Sequence, residues 1–306
     1  MKPERIVSLI ASSTETVFAL GFGNRLVGRS HECDYPETIH GLPTCSSTRV
    51  DPLQSSVDID RQVRSVLENA LSVYQVDVEQ LESLKPDLIL TQDHCEVCAV
   101  SLKDVEAACG FLFPSQPQIV SLAPEDLAAV FHGIESIAQA MHEDKAGEDL
   151  IQKMRSRLLA LREKVSPWPT VRGIFVEWIS PLMVGANWMP ELAKDAGCEL
   201  LLSINGRNSP RVSFSDLTQA DPDFILIAPC EFDLERTQKE SQILLTNPEW
   251  NALPAVQEGR VAIADGNAFF NRPGPRLVES AEILAEVAHG SRVDFRHQGR
   301  NWKWLG

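Results

Sequence analysis

Residues 91–101, TQDHCEVCAVS, place His94, Cys95, Glu96 and Cys98 within five positions. Thiolate and imidazole are the preferred ligands of zinc, so this loop has most of a metal site, with His94, Cys95 and Cys98 as its ligands. A structural zinc site wants a second ligand pair at fixed spacing, and none follows. His31, Glu32 and Cys33, in the loop after an adjacent strand, are the residues that would complete it. The Cys95-x-x-Cys98 pair also has redox spacing, and Cys98 lies near the start of a helix beginning around Ser101, where the dipole lowers a thiol pKa. The third reading is plain packing of two small, polarizable side chains at the edge of a pocket.

These residues need elements to position them. RIVSL reads as a strand, ASSTE as a loop and ETVFALGFG as a helix that Ser13 or Thr14 can cap and Gly21 or Gly23 can end. RLVGRS is a second strand, and the prolines of HECDYPETIHGLP forbid a helix after it. Residues 58–84 read as helical, with Val63, Val66, Leu67 and Leu71 on one face, before the buried strand in KPDLILTQ. A helix over about 101–109 and the strand QIVSL complete a lobe over 1–123. From Pro124 to Val165 the helical period runs for roughly forty residues with two glycines, predicting one long linking helix kinked at Gly147. Over 166–306 the alternation resumes through GIFVEW, PELAKDAG, FSDLTQA, DFILIAP, RVAIADG and a helix at about 275–288. The expected fold is α/β: two Rossmann-like lobes with mainly parallel sheets, joined by one long backbone helix. The ending SRVDFRHQGRNWKWLG is assigned no role.

Composition removes several functions. The formal charge of -15 repels phosphate backbones and anionic headgroups, and no Lys/Arg cluster opposes it, so nucleic acid and membrane surfaces are poor partners. With 43% hydrophobic and 23% charged residues the chain can bury a normal core. No window has the roughly 18 apolar residues of a spanning helix, so no membrane insertion is expected. No signal peptide is read at the N-terminus, and the seven cysteines are scattered and odd in number, so a cytoplasmic location is expected for the chain as given, and a periplasmic one if a leader precedes it. GFGN lacks a dinucleotide fingerprint, and neither a G-x-S-x-G elbow nor a set of nucleophile, base and orienter is present, so no enzyme is expected.

In open α/β sheets ligands collect beyond the carboxyl ends of the strands. The first lobe offers Ser12, Ser13, His31, Glu32, Cys33, Arg49, Gln92, Asp93, His94, Cys95 and Cys98 there. The second offers Trp178, Met183, Asn187, Trp188, Glu231, Asn267, Phe269, Phe270 and Arg272. Aromatics and amides together suit a broad ligand with an apolar face and amide edges.

RIVSLIASSTETVFALGFGNRLVGRSHECDYP, LESLKPDLILTQ, FSDLTQADPDFILIAPC, NPEWNALPAVQEGRVAIADG and NRPGPRLVESAEILAEV resemble, in order over about residues 4–288, blocks of the class III substrate-binding proteins of ABC importers. The likeness is closest to their cobalamin-binding component. It implies non-catalytic binding of a cobalamin or related corrinoid in a cleft between two lobes, as a solute-binding protein or cytosolic carrier, with no cofactor required. Siderophore, heme and metal binders share many of these blocks, so the alternative is transition-metal or ferric-siderophore/heme binding through His94, Cys95, Cys98 and the His31–Cys33 loop. Under the corrinoid reading the cysteine loop becomes the rim of a large pocket, and cobalt coordination by His94 or a cysteine is one option there. The resemblance also implies an ABC permease partner reached by a surface carboxylate on each lobe, with Glu37 available on the first and Glu191 and Glu199 on the second.

Overall fold

Short apolar runs that are buried on both sides become the strands of two parallel sheets. The computed structural model describes residues 2–69, 72–93, 100, 102–109 and 117–305. Contacts group the chain into two units, Met1–Gln54 with Asp58–Pro124 and Ala128–Lys153, and Ser55–Val57 with Glu125–Leu127 and Met154–Gly306.

The first unit contains β1 (Ile6–Ser8), α1 (Ala11–Ala19), β2 (Leu26–Arg29), β3 (Ser46–Thr48), α2 (Ser56–Glu68, whose first two residues group with the second unit), β4 (Tyr74–Val76), α3 (Val78–Leu84), β5 (Leu88–Gln92), α4 (Leu102–Cys109) and β6 (Gln118–Leu122). Its sheet runs β2-β1-β5-β6, all parallel, with Ile6 opposite Leu88 and Val7 opposite Ile89. Alternate side chains enter opposite cores: Ile6, Leu88 and Leu90 pack with Val17 and Ile137, whereas Val7, Leu9 and Ile89 pack with Leu81 and Val105. This two-faced burial is why RIVSL and DLIL read as continuous apolar runs. The helix expected over 58–84 is interrupted by β4, which pairs antiparallel with β3. Asp77 then caps α3 by accepting from Gln80 N–H at 2.9 Å.

The single helix expected over 124–165 is two helices, α5 (Leu127–Ala140) and α6 (Asp144–Val165). The chain turns at His142, whose φ is 56°, as Glu143 N–H donates to Ala138 O at 2.8 Å and His142 N–H to Gln139 O at 2.9 Å. This is a left-handed helix stop built without glycine. Lys2 and Arg25 fix the turn by donating to the Glu143 carboxylate at 3.0 and 2.7 Å. Gly147 does not kink α6. A Cβ there would lie 2.6 Å from the Ala138 Cβ, so glycine lets the two helices touch. The change of unit falls inside α6, between Lys153 and Met154.

The second unit contains β7 (Val171–Trp178), β8 (Met183–Val184), α7 (Met189–Asp195), β9 (Cys198–Leu200), α8 (Phe214–Ala220), β10 (Phe224–Ile227), α9 (Leu234–Ser241), α10 (Pro248–Asn251), α11 (Pro254–Gln257), β11 (Val261–Ala264), α12 (Leu277–His289) and β12 (Trp302–Trp304). Strands β7, β10 and β11 are parallel, and β9 adds in parallel to β7. Strands β8 and β12 are antiparallel additions at the ends. The C-terminal segment therefore has a structural role. Its β12 completes the sheet, Trp302 is fully buried, and the Glu286 carboxylate on α12 accepts from Trp302 Nε1 at 2.6 Å, Phe295 N–H at 2.5 Å and His297 N–H at 3.2 Å.

Candidate functional site

The loops at the carboxyl ends of the strands form a separate candidate surface on each unit. In the first unit α1 begins directly after β1, with Ile10 as its N-cap and no side-chain cap. Ser12 and Ser13 lie inside the first turn, so the expected capping by Ser13 or Thr14 does not occur. Both serine hydroxyls are buried without a hydrogen-bond partner among the described residues. The Thr14 hydroxyl instead meets Cys33 Sγ at 3.0 Å, fastening α1 to the loop after β2. Arg29 closes that loop by donating through Nη1 to the carbonyls of Ser30 (3.1 Å) and Cys33 (3.0 Å).

His31 is held from three sides. Its Nδ1 lies 2.8 Å from Ser46 Oγ on β3, its backbone N–H donates to the same oxygen at 3.2 Å, and its ring tilts against Tyr74 at 5.4 Å. Burial, with the Arg29 guanidinium in support, pushes the imidazole down to about 4, so it is neutral at physiological pH. Arg49 is exposed and clips the β3–β4 hairpin by donating to the carbonyls of Ser72 and Tyr74. Gln92 is buried, Asp93 is exposed with its N–H bound to Leu122 O, and Glu32 is half-buried beside His31. His94, Cys95 and Cys98 lie outside the described residues. Among the described residues no group of three or more His, Cys, Asp or Glu side chains is arranged to hold a metal ion.

In the second unit the Trp178 ring packs on Phe232 at 5.4 Å, and the Arg236 guanidinium covers the Phe232 ring at 3.7 Å. Gly266 N–H and Asn267 N–H both donate to Phe232 O, at 2.9 and 3.1 Å, joining the loops after β10 and β11. Arg272 Nη2 donates to Asn267 Oδ1 at 2.8 Å. Of this group Trp178 and Asn267 are half-buried, while Phe232 and Arg272 are buried behind them and hold them in place. Gly266 is required at this join, because a Cβ would stand 2.1 Å from Pro229 O.

The expected residues separate by depth. Trp178, Met183, Asn187 and Asn267 are half-buried, and Glu231 is exposed at φ 64°. Asn187 has φ 52° and a buried Oδ1 without a partner among the described residues. Trp188 and Phe270 are core residues joined by a 2.9 Å bond from Trp188 Nε1 to Phe270 O, and Phe270 packs on Phe175 at 5.3 Å. Phe269 and Arg272 are also buried. The stretch Ser46 to Arg49 was offered with His31 by the sequence, whereas Phe232, Arg236, Ser30 and Tyr74 were missed. Phe232 had a signal, since it follows the DFILIAPC strand end; the bond between His31 and Ser46 had none, because the two lie 15 residues apart.

Glu191 serves the fold. Its Oε2 accepts from Leu127 N–H at 2.9 Å at the start of α5. Glu37 and Glu199 are exposed.

Comparison with known proteins gives matches across most of the chain. Residues 6–268 match the family model described as periplasmic binding protein. An uncharacterized ABC transporter substrate-binding lipoprotein, YvrC of Bacillus subtilis, is 26% identical over 293 residues, covering 93% of this chain and 80% of the relative. A vitamin B12-binding protein of Vibrio vulnificus is 23% identical over 289 residues, covering 92% and 89%. The solved structure of a periplasmic heme-binding protein from Pseudomonas aeruginosa superposes with a TM-score of 0.72 at 19% identity, covering 94% of each chain.

Proposed function

The chain belongs to the periplasmic binding protein family, and from that premise we propose that its ligand is a corrinoid of the cobalamin type, bound without covalent change and passed to an ABC permease. The observation that carries this reading is on the second unit, where half-buried Trp178, backed by the buried Phe232, and half-buried Asn267, held by the buried Arg272, stand on loops joined through Phe232 O. A corrinoid has a wide apolar ring face rimmed by amides. An indole ring such as that of Trp178 can bury such a face, while an amide such as that of Asn267 can meet its edge. The relationship to a vitamin B12-binding protein over 92% of the chain agrees with that chemistry. The relatives' names describe periplasmic and lipoprotein binding proteins, which supports work outside the cytoplasm and lends nothing to the cytoplasmic placement. With Glu191 committed to α5, Glu37 and Glu199 are the carboxylates we assign to permease docking.

A second reading, binding of heme or a ferric siderophore, is favoured by one observation, the neutral and firmly oriented imidazole of His31. Calorimetric titration of the purified chain with cyanocobalamin, adenosylcobalamin, heme and a ferric siderophore separates the two. The corrinoid reading expects cobalamin to bind and Trp178→Ala to weaken it by about 30-fold, the roughly 2 kcal/mol scale of a buried aromatic anchor. Binding of heme or siderophore with no cobalamin affinity overturns it.

A further inference from the structure

The loop after β11 ends in a turn built on a residue type that resists it. Asn271 N–H donates to Phe269 O at 2.8 Å, closing a three-residue turn around Phe270, whose φ is 68°. This is the positive-φ form of the γ-turn, which is rare and strained, and a bulky aromatic at its centre adds to the strain. A connection with no further task relieves such strain with glycine. The conformation persists only where its surroundings over-determine it, and here they do. Phe270 is 1% exposed; its N–H donates to Ser280 Oγ on α12 at 2.9 Å, its carbonyl accepts from Trp188 Nε1 at 2.9 Å, and its ring packs on Phe175. The Ser280 hydroxyl proton is directed to Arg276 O at 3.3 Å, which turns the oxygen lone pairs toward Phe270.

The rest of the loop is closed on itself. Asp265 Oδ1 accepts from Ala268 N–H at 2.7 Å, and Asn271 Nδ2 donates to Gly266 O at 2.9 Å and to Ala228 O, at the end of β10, at 3.1 Å. Asn267 and Arg272 stand on either side of the turn, and their 2.8 Å bond spans it. All of these residues belong to the second unit.

We infer that the turn at 269–271 is a strained latch that sets the β11 loop in its ligand-binding shape before the ligand arrives, with Ser280 and Trp188 as positioning residues for Asn267. The inference rests on the proposed contact of Asn267 with a ligand and adds how that contact is held ready. A loop ordered in advance binds without the cost of ordering it, so loosening the latch weakens binding although no group that meets the ligand has changed.

The test compares the full chain with Ser280→Ala, which removes the acceptor for Phe270 N–H, and Trp188→Phe, which removes the donor to Phe270 O and keeps a ring in the core. Hydrogen exchange is followed free and with cyanocobalamin or ferric heme, alongside calorimetric affinities and thermal unfolding. In the parent, residues 266–272 are expected to be equally protected free and bound. In each variant that protection is lost in the free chain and regained on binding, and the Kd rises about tenfold, as when one chain in about ten holds the competent loop. Ser280→Thr, which keeps the hydroxyl, is expected to bind more tightly than Ser280→Ala, and either of the two latch variants serves should the other fail to fold. Cyanocobalamin binding that is parent-like in the variants, with only Tm lowered, leaves the corrinoid reading standing and overturns the latch, as does unchanged exchange at 266–272. Binding of heme alone, weakened in the variants, supports the latch and overturns the corrinoid reading. Absence of binding by both probes overturns both.

Discussion

Replacing Glu286 by glutamine tests whether the C-terminal segment is held by a buried carboxylate. Glu286 is 2% exposed and accepts three hydrogen bonds, two at Oε1 from Phe295 and His297 N–H and one at Oε2 from the Trp302 indole. An amide can keep the two backbone donors on its oxygen, but it then turns an NH₂ group toward an indole N–H formerly 2.6 Å away. A charge-assisted bond is lost and two donors are set face to face, so Glu286→Gln is expected to destabilise by about 2–3 kcal/mol. At about 2–4 °C per kcal/mol for a chain portion of this size, Tm falls by about 5–10 °C. Trp302→Phe removes the opposing donor. In the glutamine background it relieves the clash, so the double variant is expected to be less damaged than the sum of the singles by about 1–2 kcal/mol. Urea and thermal unfolding of the four proteins give the coupling, and hydrogen exchange at Trp302–Trp304 locates it. Stability of Glu286→Gln within about 0.5 kcal/mol of the parent, the ordinary range for surface changes, refutes the reasoning, as does a penalty unaffected by residue 302.

Three further outcomes follow from the described geometry. His31 titrates at about 4 when folded against 6.5 unfolded, so between those values the unfolded chain binds the extra proton. Its stability contribution is full above pH 6.5 and declines as pH falls toward 4, by at most about 3 kcal/mol. His31→Gln should flatten that part of the stability profile, with His289, whose burial depresses it in the same direction, left in both proteins; superimposable profiles contradict this. Burial pushes the Cys45 and Cys198 thiols up to about 11 and about 12, while Cys230 is half-buried. A short maleimide pulse read by peptide mapping should label Cys230 before Cys33, Cys45 and Cys198, and equal labelling rates count against the described burial. Gly266→Ala drives a methyl against Pro229 O, which is backbone and cannot swing away, so a loss of about 2–3 kcal/mol is expected on denaturant unfolding, together with weaker ligand binding; parent-like values would mean that the β10 and β11 loops are not joined there.

The strands were legible because burial on both faces writes them as unbroken apolar runs. Ile6–Ser8, Leu88–Gln92, Phe224–Ile227 and Val261–Ala264 all lie where RIVSL, DLIL, DFILIAP and RVAIA place them. The break between α5 and α6 was illegible because its stop residue is His142 rather than glycine, and because the partners that fix it, Lys2 and Arg25, are more than a hundred residues away in sequence. Strand β4 was hidden by the helical period of Val63, Val66 and Leu67 running into it, although Val73, Tyr74 and Val76 are residues that prefer sheets. At the site, chain position after a strand end located Trp178, Asn267 and His31. It could not separate depth, so Trp188 and Phe270, which bond to each other in the core, read the same as Trp178.

Depth also divides the roles within the first unit. Ser12 and Ser13 keep buried hydroxyls without partners among the described residues, in a helix start that has no cap, and each such group opposes folding by about 1–3 kcal/mol. Two residues away, Thr14 and Cys33 satisfy each other, and nearby Ser30, His31 and Ser46 are fully interlocked. Polar groups that merely packed would be expected to follow the second pattern, or to be alanine. Ser12 and Ser13 are almost wholly buried, so their unmade bonds are a cost carried inside the fold at the carboxyl end of β1, in the helix start that Thr14 ties to the loop of His31 through Cys33. The same contrast holds in the second unit, where Trp188 has spent its indole N–H on Phe270 while Asn187 next to it holds an unsatisfied amide oxygen at a left-handed φ. In both units, then, residues that weaken the fold stand beside residues that fix it, and they do so at the carboxyl ends of the strands, where ligands of α/β sheets collect.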